Sequence, residues 1–310
     1  MNAVLNAALP IFALIFTGFL CARFWGFDRV ATDNLNRFAV YLALPSLMFI
    51  AMSKITPDQV RQFGFAAAFA GGIAVTFALG FAFSRWRGRG TAAAAIEALD
   101  AGYSNVGFMG IPLCLLAFGP ESLPAAIIAT LFTACVLFLF AIVLIELDLV
   151  SGTSAAGAIR KVGLSLLKNP LLIGPVAGLC VGLSGFPLPV SVAQFATLLG
   201  GAASPCALVC IGLFLGQERM VLDDMRSIAA LTLLKLIVQP GVTALLVFYV
   251  FSMPSLWAQA AVLLSALPIG SGPFTIAKLY RIDAATTSGA ILASHLLSVV
   301  TVSILVAWLT

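Results

Sequence analysis

Charge is what this sequence has least of. Charged residues make up 9% of the 310 positions, against about 25% in an average soluble domain. No water-facing surface can be built from so few, so a soluble enzyme or binding domain is excluded. With 62% hydrophobic residues and a mean hydropathy of +1.12, disorder is excluded too. The apolar excess is too large for a single anchor, so nearly the whole chain is expected to span a bilayer.

Other shortages narrow the chemistry. No basic run carries interleaved aromatics, which argues against a nucleic-acid partner. The six cysteines, Cys21, Cys114, Cys135, Cys180, Cys206 and Cys210, sit in or beside apolar segments, and there is one histidine, His295. Cys206 and Cys210 have neither His nor carboxylate close in sequence, so they read as small buried hydrophobes, and no metal or cofactor is expected. A phosphate-binding G-x-x-x-x-G-K-[ST] motif is absent. The first cation, Arg23, follows the first apolar run, which predicts an uncleaved first span rather than a signal peptide.

The apolar segments predict ten spans, at 3–22, 36–52, 62–84, 91–119, 122–147, 168–184, 191–216, 228–252, 255–280 and 284–309. They do not alternate as barrel strands would, so helices are expected. Thirteen cations fall in odd connections: Arg23, Arg29, Arg37, Arg85, Arg87, Arg89, Arg160, Lys161, Lys168, Arg219, Arg226, Lys278 and Arg281. Even connections carry Lys54 and Arg61 alone. The positive-inside rule then places both termini on the outer, periplasmic side of the cell (inner) membrane.

Proline and glycine recur at a spacing of 160: Pro10 with Pro170, Gly18 with Gly178, Pro45 with Pro205, Gly110 with Gly270. Five spans per half is odd, so the second half should run inverted, as in secondary transporters. The expected fold is an all-α polytopic membrane protein of ten transmembrane helices in two inverted five-helix repeats, 1–150 and 161–310. Spans 4 and 9 should be broken, because each places Gly and Pro near mid-membrane. Pro112 and Pro273 should open the second half-helices, where proline is favoured. Two half-helix N-termini facing one another would attract an anion, with Asn105 and Ser271 adding polar side-chain atoms.

At these residues the chain resembles the auxin efflux carrier family, which includes bacterial malate and malonate permeases. Ser104-Asn105-Val106-Gly107-Phe108-Met109-Gly110-Ile111-Pro112-Leu113 is similar to the family's first crossover, and Ala266-Leu267-Pro268 through Phe274, then Ala277 and Tyr280, to its second. Gly272 stands where the second motif often has Asn. The resemblance implies a scaffold of helices 1, 2, 6 and 7 and a transport or crossover domain of helices 3–5 and 8–10. It also implies that Asn105 and the crossing prolines, Pro112 with Pro268 or Pro273, border the substrate. Gly107, Gly110, Ser271 and Gly272 complete the candidate binding set.

Ionisable residues inside spans are functional candidates. Glu97, Asp100 and Ser104 share one helix face, as do Thr232, Lys235 and Gln239. Asp100 and Lys235, each roughly 10–14 Å deep at 1.5 Å per residue, would pair, or would each reach solvent separately. His295, about 18 Å into span 10 on the same rise, is a candidate for proton coupling or for packing. Gly174, Gly178 and Gly182 recur every fourth residue, which suits packing within the scaffold or a homodimer.

The expected activity is secondary active transport, by alternating access, of a small organic anion: a dicarboxylate such as malate or malonate, or an auxin-like carboxylate. A proton or sodium co-ion would energise it. A channel has no charged ring or filter loop to support it. The enzymatic alternative is an intramembrane serine protease using Ser184, in Gly182-Leu183-Ser184-Gly185, with His295 as base.

Overall fold

The computed structural model describes residues 8–149, 157, 160, 163–164, 167–218 and 224–310. Lys161, Arg219 and the first residues of span 1 therefore lie outside the described residues. The elements are α1 (Leu9–Phe24), α2 (Arg29–Met52), α3 (Pro57–Trp86), α4 (Thr91–Gly102), α5 (Val106–Phe118), α6 (Pro120–Leu149), α7 (Pro170–Ser184), α8 (Val190–Gln217), α9 (Met225–Val250), α10 (Ser255–Ser265), α11 (Gly272–Leu279) and α12 (Ala285–Leu309). Six of them, α2, α3, α6, α8, α9 and α12, are long and apolar enough to cross a membrane. The described residues contain no β-strand, only one antiparallel bridge between Ser104 and Ile269. The chain is thus an all-helical, multi-pass membrane protein, as its composition requires.

Span 2 starts earlier than its hydropathy suggests. Asp28 caps it, accepting from the Ala31 amide at 2.9 Å, and the first ten residues form a polar, amphipathic lead-in. The lead-in is too hydrophilic to register as part of a span, yet it forms one wall of the cavity described below. Wide π-type turns at Ala39–Ala43, Val106–Gly110 and Leu234–Val238 each end two residues before a proline, Pro45, Pro112 and Pro240. A proline inside a helix removes one amide and crowds the preceding turn, and widening that turn relieves the crowding.

Close packing here depends on small residues, because apolar lipid gives helices little hydrophobic reason to associate. α1 lies along α8, and α7 along α2. Gly18 of α1 faces the Val209 carbonyl, and Gly178 of α7 faces the Phe49 carbonyl, with no room for a Cβ at either contact. Gly174 and Gly182 continue the second contact against Pro45 and Met52. This stripe is therefore spent within the chain, and the reading of it as a dimer interface is set aside. A second group forms around α3, which packs on α4, α9 and α10, while α9 packs on α12. Large apolar side chains such as Phe16, Leu198, Ile304 and Trp308 remain exposed on the outside, as a lipid-facing surface requires.

An ionic cluster ties the α3–α4 connection to the start of α9. Arg87 donates to Asp224 at 2.6 Å and to the Ser227 hydroxyl. Arg89 reaches Asp224 at 3.3 Å and Glu97 at 3.5 Å. The hydrogen bond from Arg87 holds the Asp224 carboxyl down at about 2, against an ordinary 3.8. Because the folded value is depressed, the stabilisation is complete above pH 3.8 and is lost as pH falls through about 2. Asp224→Asn should cost up to about 1 kcal/mol at neutral pH. Its unfolding midpoint in detergent should converge with that of the wild type on acidification; a gap that persists at the acid end would contradict this.

Candidate functional site

The two broken spans meet at their breaks. Residues 103–105, between α4 and α5, run antiparallel to residues 266–271, between α10 and α11. The Asn105 amide donates to the Pro268 carbonyl at 2.9 Å, and the Gly270 amide donates to the Tyr103 carbonyl at 3.1 Å. Each interruption frees backbone groups that lipid cannot satisfy, and here the two interruptions satisfy each other. Glycine is needed for so close an approach. A Cβ on Gly270 would lie 2.7 Å from the Tyr103 ring, and one on Gly272 would strike Phe138. Tyr103 and Phe138 stack at 4.7 Å between centroids.

α12 fastens this crossing from one side. Ser294 Oγ accepts from the Ile269 amide at 3.1 Å. His295 Nε2 lies 3.3 Å from Asn105 Nδ2, and its Nδ1 lies 2.9 Å from the Ile291 carbonyl. Asn105, Ser271 and His295 all line one cavity of about 270 Å³. Its remaining wall comes from Phe108 of α5, Phe274 and Thr275 of α11, Ile291 of α12, the polar lead-in of α2 (Arg29, Thr32, Asp33, Asn36) and the end of α8 (Cys210, Ile211, Phe214, Gln217, with Glu218 beyond). Phe214 and Phe274 meet edge to face, with centroids 5.6 Å apart. Arg29, 75% exposed, pairs with Glu218 at 3.4 Å.

The other candidates serve the backbone around this cavity and do not line it. Pro268 accepts the Asn105 amide. Pro273 is buried in the first turn of α11, as its spacing predicts, whereas Pro112 is buried seven residues into α5, just after the wide turn at Val106–Gly110. At Gly110 a Cβ would press on Leu264 and Leu267, and at Gly107 it would touch Thr130. Asp100 and Lys235 are fully buried and find separate partners. Asp100 accepts from Thr287 at 2.7 Å. Lys235 Nζ donates to the Ser265 carbonyl at 2.7 Å, at the last turn of α10, where a cation suits the helix dipole. Gln239 similarly donates to the Gly102 carbonyl at 3.3 Å, at the end of α4. Lysine and glutamine thus cap the two first half-helices where they stop.

Sequence reasoning missed the α2 and α8 contributors. The available signal was the dense polar set Asp28, Arg29, Thr32, Asp33, Asn34 and Asn36 next to an apolar run. The protease alternative finds no support in the geometry. Ser184 Oγ donates to the Val181 carbonyl and accepts from the Phe186 amide, in an exposed turn, whereas His295 is buried against Asn105. Ser184→Ala should leave transport at the wild-type rate; loss of activity in that variant would revive the alternative.

Comparison with known proteins agrees with this architecture. Residues 3–306 match the family described as membrane transport protein. The chain is 31% identical over 307 residues to a "Putative malonate transporter" of Rhizobium meliloti (strain 1021), covering 98% of this chain and 95% of that one. It is 27% identical to the "Uncharacterized transporter YfdV" of Escherichia coli (strain K12), over 94% of this chain and 93% of that one. A "Probable auxin efflux carrier component 5a" of Oryza sativa subsp. japonica is 22% identical, over 95% and 93% respectively. The chain therefore belongs to the membrane transport protein family, that of the auxin efflux carriers.

Proposed function

We propose that the protein is a secondary active transporter of a small organic anion, working by alternating access around the crossing of residues 103–105 and 266–271. The observation that carries this reading is the cavity that ends on Asn105, beside two half-helix N-termini held together by backbone hydrogen bonds. Asn105 and Ser271 line it, and the amides of Phe108 and Phe274, cavity residues in the first turns of α5 and α11, have no helical carbonyl to bond. A carboxylate there accepts hydrogen bonds from these groups and gains from both dipoles. Arg29 at the mouth of the same cavity is neutralised by Glu218, so the half-helix ends, not this side chain, carry the preference for an anion. The name of the Rhizobium relative favours a dicarboxylate such as malonate.

Ten spans in two inverted repeats support the motion. Gly18 meets residue 209, and Gly178 meets residue 49; adding 160 to the first number and subtracting it from the second turns one contact into the other. At the crossing the matching spacing is 165, from Ser104 to Ile269. Spans 1, 2, 6 and 7 form the scaffold, and spans 3–5 and 8–10 the moving domain, consistent with the two packing groups around α2 and α3. The cavity includes residues next to the first and seventh connections, which the cation count places in the cytoplasm, so this is an inward-facing state. Both termini are then periplasmic in the cell inner membrane. A homodimer would use the exposed faces of the scaffold helices.

The test is counterflow of labelled malonate, malate and indole acids in proteoliposomes. Exchange of at least one of them, lost on Asn105→Ala, supports the reading; wild-type exchange in that variant refutes the site.

A further inference from the structure

We propose that His295 and Asn105 together form the binding site of a co-transported proton, and that the proton decides whether Asn105 presents an acceptor or donors to the substrate. The inference rests on the anion-transport reading above and adds the identity of the co-ion.

Hydrogen-bond chemistry assigns the ring. The Ile291 carbonyl can only accept, so His295 Nδ1, 2.9 Å away, carries a hydrogen. In the neutral ring Nε2 is then a bare acceptor, and Asn105 Nδ2, 3.3 Å away, donates to it. Fixed in this way, the Asn105 amide keeps one N–H and its Oδ1 for other partners, and Oδ1 accepts no hydrogen bond among the described residues.

A proton arriving from water and bonding to Nε2 reverses the contact. The imidazolium is a donor at both nitrogens, so Nε2–H repels the Asn105 N–H groups and attracts Oδ1. A half-turn of the amide satisfies the new bond and sends both N–H groups to the side that Oδ1 occupied. The site then offers two amide hydrogens and a positive charge where it had offered a carbonyl oxygen. A carboxylate suits the second arrangement and is repelled by the first. Conversely, an imidazolium is costly in a buried setting unless an anion accompanies it. By reciprocity of linked equilibria, each ligand strengthens binding of the other, and one proton enters with each anion.

Other charged groups lie near α12. In the cavity, Arg29 pairs with Glu218. Asp33 and Cys210 belong to α2 and α8 across the cavity, and Cys210 faces the Thr32 carbonyl at 3.7 Å. Of the helices packed on α12, α4 contributes Glu97, paired with Arg89, and Asp100, bonded to Thr287; α9 contributes Arg226 and Lys235, the latter bonded to the Ser265 carbonyl; and α11 contributes Lys278, over the Phe274 ring. None of these lies within hydrogen-bonding distance of His295.

The experiment uses proteoliposomes clamped at zero voltage, labelled malonate as probe and a pH dye inside. In the wild type, malonate entry should carry protons with it, and apparent affinity should weaken by up to about ten-fold per pH unit above neutrality, the limit for one linked proton. His295→Gln should give slower exchange that carries no protons and shows a flatter pH response. Malonate entry without proton movement in the wild type would overturn the proposal, and that measurement needs no variant. So would wild-type proton movement in His295→Gln. Failure of the underlying transport reading would show differently, as no malonate, malate or indole-acid exchange at any pH.

Discussion

Asn105→Ala is expected to weaken apparent substrate affinity by roughly ten- to a hundred-fold. A hydrogen bond to a charged group is worth about 1.5–3 kcal/mol, and each 1.4 kcal/mol is about ten-fold. The substitution removes the side-chain amide at the cavity and its contact with His295. It spares the backbone pairing, because the Asn105 amide still reaches the Pro268 carbonyl. The folded protein should therefore survive, with an unfolding midpoint near that of the wild type. Asn105→Asp provides a sharper contrast. It keeps the shape but places a carboxylate against an anionic substrate, so uptake should fall at least as far. Malonate titrations in proteoliposomes measure both. Unchanged affinity in either variant would remove Asn105 from the binding site.

Gly178→Val should lower the unfolding midpoint in detergent by roughly 2–12 °C, taking about 1–3 kcal/mol for overpacking and about 2–4 °C per kcal/mol, the figure for chains of 150–250 residues. The added Cβ lands on the Phe49 carbonyl, which belongs to a helix backbone and cannot swing aside as a side chain would. Gly18→Val should cost a similar amount, because its Cβ lands on the Val209 carbonyl in the corresponding contact. Gly201 is the control: a Cβ there meets nothing within 4 Å, and Gly201→Ala should leave the midpoint unchanged or slightly raised. If the Gly18 and Gly178 variants matched the control, the proposed symmetry of the scaffold contacts would lose its energetic basis.

Much of this was legible in the residues. The helical, membrane-embedded class follows from composition, since 9% charge leaves no alternative environment. Both helix breaks were legible because Gly and Pro act locally: Pro273 opens its half-helix, and Pro112 follows a widened turn. Asn105 and Ser271 were identified as candidates because they stand beside those breaks. The Gly and Pro matches recur at a spacing of 160, whereas the residues that face one another at the crossing, Ser104 and Ile269, are 165 apart. Local spacing cannot show a shift of a few residues between two distant segments.

What the sequence determined by itself was therefore what solvent and short-range geometry set: the class, the approximate helical segments and the two interruptions. What only the tertiary structure decided was who partners whom. Their depths allow Lys235 and Asp100 to pair, yet each bonds elsewhere, to the Ser265 carbonyl and to Thr287. His295 had no sequence neighbour to define its role, and three-dimensional packing put it against a residue 190 positions away. The polar lead-in of α2 became a cavity wall in the same way. In a bilayer a buried polar group is costly without a partner inside the protein, and which partner it finds depends on how distant helices pack, which no local pattern encodes.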